Sequence, residues 1–184
     1  DALTAADNTL TFQTIVKTIS RRNGLFVDFS AKPLDGEPGN GFHINMSVRP
    51  SDSSENLCYM IAGILDKVKD MTVFLNPTEN SYQRFGRLKA PEYISWSGEN
   101  RSQLVRVPAA VGEYRRAELR SPDPSANPYL AFTLLIYAGL YGLEQKLDLP
   151  NPTNFNLYKA TPEEVAHLEK IPESLEKARR IAAE

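Results

Sequence analysis

The sequence predicts a single α+β domain in which helices pack against one face of an antiparallel sheet. Three long segments place apolar residues at helical spacing, and short segments between them alternate apolar with polar residues. Clusters of Pro, Gly, Asn and Asp separate these segments. A chain of 184 residues is long enough for one well-formed core, with or without a small appended lobe.

The first predicted element is a helix over residues 4–22. Thr4 is a suitable N-cap, and Gly24 is a suitable stop signal after Arg21 and Arg22. The apolar residues that recur at helical spacing are Leu10, Phe12, Ile15, Val16 and Ile19.

A β-hairpin is predicted next. "LFVDFS" (25–30) and "GFHINMSVR" (41–49) have the composition of strands. The segment between them, "AKPLDGEPGN", is rich in Pro and Gly and therefore predicts a loop.

The rest of the chain predicts two further long helices and three short strands. A polar, irregular segment starts near Phe74, and long loops of this kind are usually functional or disordered. Thr161 and Glu164 form a capping-box pattern near the end of the chain. The predicted helices cover 55–71 and 128–147, and the predicted strands cover 92–97, 102–107 and 114–120.

Composition argues against several classes of partner. The net charge of −2 comes from 21 basic and 23 acidic residues without a basic block, so we expect no nucleic-acid partner. The single cysteine, Cys58, cannot form an internal disulfide, which favours a reducing, cytoplasmic location. No segment approaches the roughly 20 apolar residues that span a bilayer, so we expect no membrane partner.

The strand at 41–49 has one apolar and one polar face. Alternation places Phe42, Ile44, Met46 and Val48 on one side, and His43, Asn45, Ser47 and Arg49 on the other. A half-solvated sheet with a polar outer face would give the same alternation. The composition of the polar face favours a binding site instead, because it carries His, Asn, Ser and Arg and almost no Lys.

A second strand repeats this pattern with charged residues. Arg116, Glu118 and Arg120 share one side of the segment 115–120. An imidazole and a carboxylate can bind a divalent cation, and arginines can bind phosphate. His43 and Glu118 therefore predict part of a metal and phosphate site, although a lone strand histidine is more often structural.

Four motifs resemble the C-terminal catalytic domain of bacterial type I glutamine synthetase. They are "GNGFHINMSV", "NPTENSYQRF", "WSGENRSQLVRVP" and "RRAELRSPDPSANPYLAFTLLIYAGL", and their order and spacing agree over most of residues 1–160. The resemblance implies an α+β fold whose sheet curves into part of a barrel, with the three long helices behind it. It also implies a glutamate–ammonia ligase that forms glutamine through γ-glutamyl phosphate at the cost of ATP. Family members use Mg²⁺ or Mn²⁺ and assemble as stacked hexameric rings, a homo-dodecamer with active sites between neighbouring subunits.

The resemblance also assigns roles to individual residues. It implies metal binding by His43 and Glu118, and ATP binding by Asn45, Ser47, Arg101 and Arg106. It implies substrate binding by Gly39, Arg84 and Arg120, and catalytic roles for Arg84, Arg101 and Arg120. Tyr158 lies where some members carry a tyrosine that is reversibly adenylylated.

Three positions depart from the family pattern. Lys89 stands nearest to the glutamate that closes the substrate pocket and helps to deprotonate ammonium, a role that a protonated lysine cannot fill. Glu113 replaces a lysine common at the ATP site, and Pro38 replaces an asparagine before Gly39. These departures leave open a ligase that uses another amine or acid.

The resemblance assigns residues 1–150 to part of the catalytic domain and 151–184 to a loop and helical extension of it. It further implies that the N-terminal half, which supplies most carboxylate metal ligands, lies outside this chain, so that the 184 residues alone are inactive. The alternative from another class is a non-catalytic superfamily member that serves as an assembly or binding protein.

Overall fold

The computed structural model describes residues 1–49, 54–110 and 112–184, and describes Glu113 by its backbone only. The described chain combines helices with one mainly antiparallel sheet, which confirms the predicted α+β class. In chain order the elements are α1 (Ala2–Arg22), β1 (Ile44–Met46), α2 (Ser54–Leu75), α3 (Glu79–Tyr82), β2 (Trp96–Ser97), β3 (Val105–Arg106), a 3₁₀ turn (Gly112–Tyr114), β4 (Ala117–Leu119), α4 (Pro128–Gln145), α5 (Pro162–Val165) and α6 (Leu175–Ile181).

The four strands form one small, curved and unclosed sheet in the order β1-β4-β3-β2. β4 pairs antiparallel with both β1 and β3, as predicted. The edge strand β2 pairs parallel with β3, which differs from the antiparallel prediction. In the segment between them, the Ser97 hydroxyl accepts from the backbone N–H of Asn100, and the side-chain oxygen of Asn100 accepts from the backbone N–H of Ser102.

The core lies between the apolar face of this sheet and the helices α2 and α4. α2 extends one turn beyond the predicted end at residue 71, and Thr72 and Leu75 in that turn are also buried. α2 and α4 approach closely at Gly63, where a Cβ atom would lie 2.2 Å from the carbonyl oxygen of Ala138. The buried cluster includes Ile44, Leu57, Met60, Ile61, Ile64, Leu65, Val68, Leu104, Val105, Ala117, Leu119, Ala131, Leu135 and Ala138.

The prediction of the first helix is correct, but the predicted N-cap and the predicted packing of this helix behind the sheet are wrong. Asp1 rather than Thr4 is the N-cap, because its carboxylate accepts from the backbone N–H of Leu3 at 3.0 Å. α1 packs against α4, and only its Ala6 is buried. The apolar stripe of α1 is largely exposed, since Phe12 is 60% and Ile19 is 54% exposed.

The predicted hairpin is wrong. Residues 25–30 form no strand, and Phe26 is 90% exposed. Asn40 satisfies part of this backbone instead, because its side-chain amide donates to the carbonyl oxygens of Asp28 and Ser30 at 3.2 and 2.8 Å. The strand partner of β1 is β4, which lies far along the chain.

The C-terminal part of the chain is held against the β2–β3 edge. Trp96 contributes twice, since its indole N–H donates to the carbonyl of Pro150 and its own carbonyl accepts from Thr153 N–H. Leu157 N–H donates to the Ser102 hydroxyl at 2.9 Å. The predicted capping box at Thr161 and Glu164 is confirmed. Within the described part of the chain, every helix is too short or too polar to cross a membrane.

Candidate functional site

The carboxylate of Glu118 is the centre of the polar face of the sheet. β4 places Glu118 opposite Asn45 of β1 and opposite Arg106 of β3, so neighbouring strands surround it on both sides. Its Oε1 atom lies 3.0 Å from His43 Nδ1 and 3.1 Å from Arg120 Nη1. Its Oε2 atom lies 3.1 Å from Arg106 Nη1. One buried carboxylate thus contacts three cationic or potentially cationic side chains.

The alternation of the strands explains this arrangement. Ala117 and Leu119 point into the core, and Glu118 between them points to the opposite face. His43 and Glu118 share that face, as the sequence predicted. The period of two residues therefore links the packing of the core to the position of the site.

The charges of this cluster shift the pKa values of its members. Burial raises the pKa of Glu118, but the positive charges of Arg120 and Arg106 and the contact with His43 outweigh it, so the pKa lies below its ordinary value. Burial and the charge of Arg120 lower the pKa of His43, and the attraction of Glu118 does not compensate for them. Near neutral pH the carboxylate is ionised and the imidazole is neutral.

Arg120 connects the carboxylate to the neighbouring loop. Its side chain is 7% exposed, and its Nε donates to the backbone carbonyl of Arg101 at 3.1 Å. Its Nη1 also lies 3.4 Å from His43 Nδ1. The guanidinium group is therefore fixed between the metal-ligand candidates and the loop before β3.

Arg84 approaches the same face from the segment after α3. Its side chain is 3% exposed, and its Nη1 donates to the carbonyl oxygen of Ser121 at 2.9 Å. Gly39 packs on its stem, because a Cβ atom at Gly39 would lie 2.7 Å from Arg84 Cγ. Gly41 lies between the predicted metal ligand His43 and the predicted substrate residue Arg84. A Cβ atom at Gly41 would lie 2.9 Å from His43 Nε2 and 3.5 Å from Arg84 Nη2. The predicted substrate residues and metal ligands are thus neighbours.

Other predicted residues lie at the rim of this cluster. Arg101 is exposed and contributes its backbone carbonyl rather than a described side-chain contact. Asn45 and Ser47 are exposed on the polar side of β1 and after it. Tyr158 is 38% exposed. Partial burial raises the pKa of its phenol, and the charges of Arg120 and Arg84 offset only part of this rise. The phenol is therefore within electrostatic range of both arginines.

Two departures from the family pattern have different outcomes. Lys89 is exposed and follows Leu88, whose φ of 57° is left-handed and strained for a leucine. The prediction about Glu113 concerns a side chain outside the described residues.

The structure adds three residues that the site prediction left out. Arg116 donates from its Nε to Asn45 Oδ1 at 3.2 Å, and the alternation had already placed it on the same face as Glu118 without giving it a role. Asp123 and Asn76 are both fully buried behind Arg84. Asp123 lies between two prolines, a pattern that predicts a turn and gives no sign of a buried carboxylate.

His43 and Glu118 fit a divalent cation as part of a ligand set. A neutral imidazole and an ionised carboxylate on one face are suitable donors for Mg²⁺ or Mn²⁺. They are two ligands where such an ion takes about six. Among residues 1–49, 54–110 and 112–184, no group of three or more His, Cys, Asp or Glu side chains is arranged to hold a metal ion.

Comparisons with known proteins agree with this geometry. The family model for the catalytic domain of glutamine synthetase matches residues 1–183. The chain is 42% identical to a glutamine synthetase of Methanosarcina mazei over 177 aligned positions, and the alignment covers 89% of this chain and 40% of the relative. It is 40% identical to a glutamine synthetase of Staphylococcus epidermidis over 190 aligned positions, and the alignment covers 95% of this chain and 43% of that relative. The chain therefore spans about two fifths of the length of these curated relatives.

Two solved structures share the fold over the whole chain. One is a complex of GmaS with ADP, with a TM-score of 0.89 and 32% identity, and this chain covers 46% of it. The other is GmaS without ligand, with a TM-score of 0.88 and 33% identity, and this chain covers 44% of it. The chain belongs to the glutamine synthetase family and carries a catalytic-domain sequence of that family.

Proposed function

We propose that this chain provides the phosphate-contacting part of an ATP-dependent glutamate–ammonia ligase. The observation that carries the proposal is the Glu118 carboxylate with His43, Arg106 and Arg120 around it on one sheet face. A cluster with more arginines than carboxylates suits a substrate that carries phosphate. Membership of the family and similarity to a GmaS structure with bound ADP support the same assignment.

The proposed reaction has two steps. The γ-carboxylate oxygen of glutamate attacks the γ-phosphorus of ATP, the bond to ADP breaks, and γ-glutamyl phosphate forms. Ammonia then attacks the acyl carbon, inorganic phosphate leaves and a proton is released, which gives glutamine. The balance is glutamate, ammonia and ATP converted to glutamine, ADP and phosphate.

The arginines would stabilise the charge that moves during these steps. Arg106 and Arg101 would contact the ATP phosphates, and Arg120 would contact the phosphoryl group in transfer. Asn45 and Ser47 would contact the nucleotide.

Arg84 and Gly39 would hold the acid substrate. Arg84 presents its Nη2 edge toward Gly41, close to His43. A guanidinium can bind a carboxylate through two parallel hydrogen bonds, which suits recognition of an amino acid.

His43 and Glu118 would hold a divalent cation, whose role when bound is to neutralise phosphate charge and orient the transferring group. Glu118 would exchange part of its contact with Arg106 or Arg120 for that ion. The remaining ligands would come from substrate, water or residues beyond those described.

The amine is the least constrained part of the proposal. Lys89 stands where a glutamate base would be expected, and it lies in an exposed loop. A protonated lysine cannot deprotonate ammonium, so a different amine, or a base from elsewhere, fits this observation.

We also propose that further polypeptide covers the apolar stripe of α1. Phe12, Ile15 and Ile19 are each at least half exposed, and patches of this kind usually mark an interface. The cover would be another region of the same protein or a neighbouring subunit of a homo-oligomer, for which we expect a dodecamer. Light scattering on the full natural protein measures this assembly.

The decisive experiment is an assay of the full natural protein that carries this chain. ATP-dependent amide formation is measured against a panel of acids, including glutamate, and a panel of amines, including ammonia. Glu118→Gln should abolish turnover, whereas Glu92→Gln, which alters a surface pair with Lys170, should leave it intact. No turnover by the wild-type protein with any pair would favour a non-catalytic assembly or binding role.

A further inference from the structure

A buried polar cluster lies directly behind Arg84. It joins three elements: Asn76 just after α2, Arg84 after α3, and the turn from Ser121 to Asp123 between β4 and α4. The carbonyl oxygen of Ser121 accepts twice, from Arg84 Nη1 at 2.9 Å and from Asn76 Nδ2 at 2.8 Å. The side chains of Arg84 and Asn76 therefore both donate to the Ser121 carbonyl oxygen.

Asp123 supplies the negative charge of this cluster. Its side chain is fully buried, with Oδ1 accepting from Ser125 N–H and Oδ2 accepting from Asn76 Nδ2, both at 2.9 Å. Arg84 Nη1 lies 3.9 Å from Oδ2. Because a buried carboxylate is costly without a partner of opposite charge, Arg84 and Asp123 stabilise each other's burial.

The guanidinium of Arg84 is consequently fixed along one edge. Its stem packs on Gly39, where any side chain would collide with it, since an added Cβ atom would lie 2.7 Å from Arg84 Cγ. Its Nη1 is directed to Ser121 and Asp123. Its Nη2 is directed toward Gly41, on the side where His43 lies.

We propose that Asp123 and Asn76 are positioning residues for the acid substrate, and that they act by holding the Arg84 guanidinium with its free edge toward the site. Neither residue reaches the substrate itself. The inference rests on the proposed function, because it takes Arg84 as the group that binds the substrate carboxylate.

The polar character of the cluster favours positioning over simple packing. A buried ion pair is weak evidence for stability, because an apolar replacement of similar volume is often as stable. A connected set of hydrogen bonds instead restricts a long, flexible side chain to one geometry. A misplaced binding group weakens binding even when the fold is intact.

The kinetic test uses the full natural protein. Asp123→Asn keeps the shape of the side chain and removes its charge, so we expect KM for the acid substrate to rise about tenfold or more, as for loss of a charge-assisted contact. KM for ATP should change by less than about threefold, a split that a general loss of stability would not produce.

Two comparisons separate positioning from destabilisation. Ile64→Val removes one methylene from a fully buried core residue in α2 and should leave both KM values unchanged. In a protein that already carries Arg84→Lys, Asp123→Asn should add less than about twofold to KM for the acid, because the two residues act as one unit. Additive effects of the two substitutions would overturn the inference.

A structural readout keeps the inference independent of the proposed activity. In a crystal structure of Asp123→Asn, the contact between Arg84 Nη1 and Ser121 O should be lost or lengthened beyond hydrogen-bonding distance. An unmoved guanidinium would overturn the inference, whatever the kinetics show. If Asp123→Asn does not fold, Asn76→Ala removes the bridge to Asp123 and is measured in the same way. Absence of amide formation by the wild-type protein would refute the proposed function, while the crystal structures would still decide the positioning role.

Discussion

Glu118→Gln should destabilise this chain more than any surface ion-pair substitution. The change keeps the side-chain volume and removes the charge that Arg106, Arg120 and His43 share. The new side-chain amide would also bring an N–H₂ group to face at least one cationic donor. The perturbation therefore leaves two neighbouring guanidinium groups without a counter-charge.

The magnitude follows from the exposure of the partners. Breaking a fully buried pair by removing one member costs about 3–5 kcal/mol. Arg120 is buried at 7% side-chain exposure, but Arg106 is 23% exposed, so water partly screens its charge, and His43 is neutral near neutral pH. We expect a loss of about 2–3 kcal/mol in the free energy of unfolding, below the fully buried range.

Urea denaturation of the 184-residue chain measures this loss. The midpoint should fall with an unchanged dependence on urea, which indicates altered stability rather than an altered unfolded state. Glu92→Gln is the matched control, because Glu92 pairs with Lys170 at 3.1 Å on the surface. The control should lose at most about 1 kcal/mol. Equal losses in the two variants would refute the view that the cluster acts as a buried charge network.

Two further outcomes follow from the structure. Gly63→Ala should lower the free energy of unfolding, measured by urea denaturation, by about 3 kcal/mol or more, because the new Cβ would overlap the backbone of α4. Gly36 lies at an open position with a φ of 79°, so Gly36→Ala should lower it by about 1 kcal/mol through backbone strain alone. Calorimetric titration of the 184-residue chain should show Mg²⁺ and Mn²⁺ binding weaker than about 1 mM, because the proposed site brings together two ligands, His43 and Glu118, and no group of three or more such side chains occurs among the described residues. Micromolar affinity would show that the ligand set inferred for this chain is wrong.

Local alternation predicted the face on which the centre of the candidate site lies, and the family resemblance supplied the roles of its residues. Strand side chains repeat every two residues, so one sequence pattern fixed which face carries His43, Glu118 and Arg120. The apolar series in α2 and α4 likewise predicted the helices behind the sheet. These features depend on near neighbours in sequence and are therefore accessible without a structure.

Features that depend on a distant partner were not predictable in this way. Residues 25–30 have the composition of a strand, but composition does not say whether a partner strand lies beside them. The apolar stripe of α1 predicted the helix correctly and could not indicate what covers it. Asp123 has a turn sequence around it, and only the fold brings Asn76 and Arg84 to its carboxylate.

The candidate site and the core of this chain share the short strand β4, so substitutions in the core can affect the site. Ala117 and Leu119 are fully buried on the helix side of β4, while Glu118 is held on the opposite side by Arg106, Arg120 and the imidazole of His43. A shift of β4 by one residue would expose both apolar side chains and bury the carboxylate in the core at the same time. Burial of apolar area by α2 and α4 therefore stabilises the register that also brings Glu118 to His43. Substitutions in the core that allow this register to slip should reduce ligand binding at the site without touching any residue that contacts the ligand.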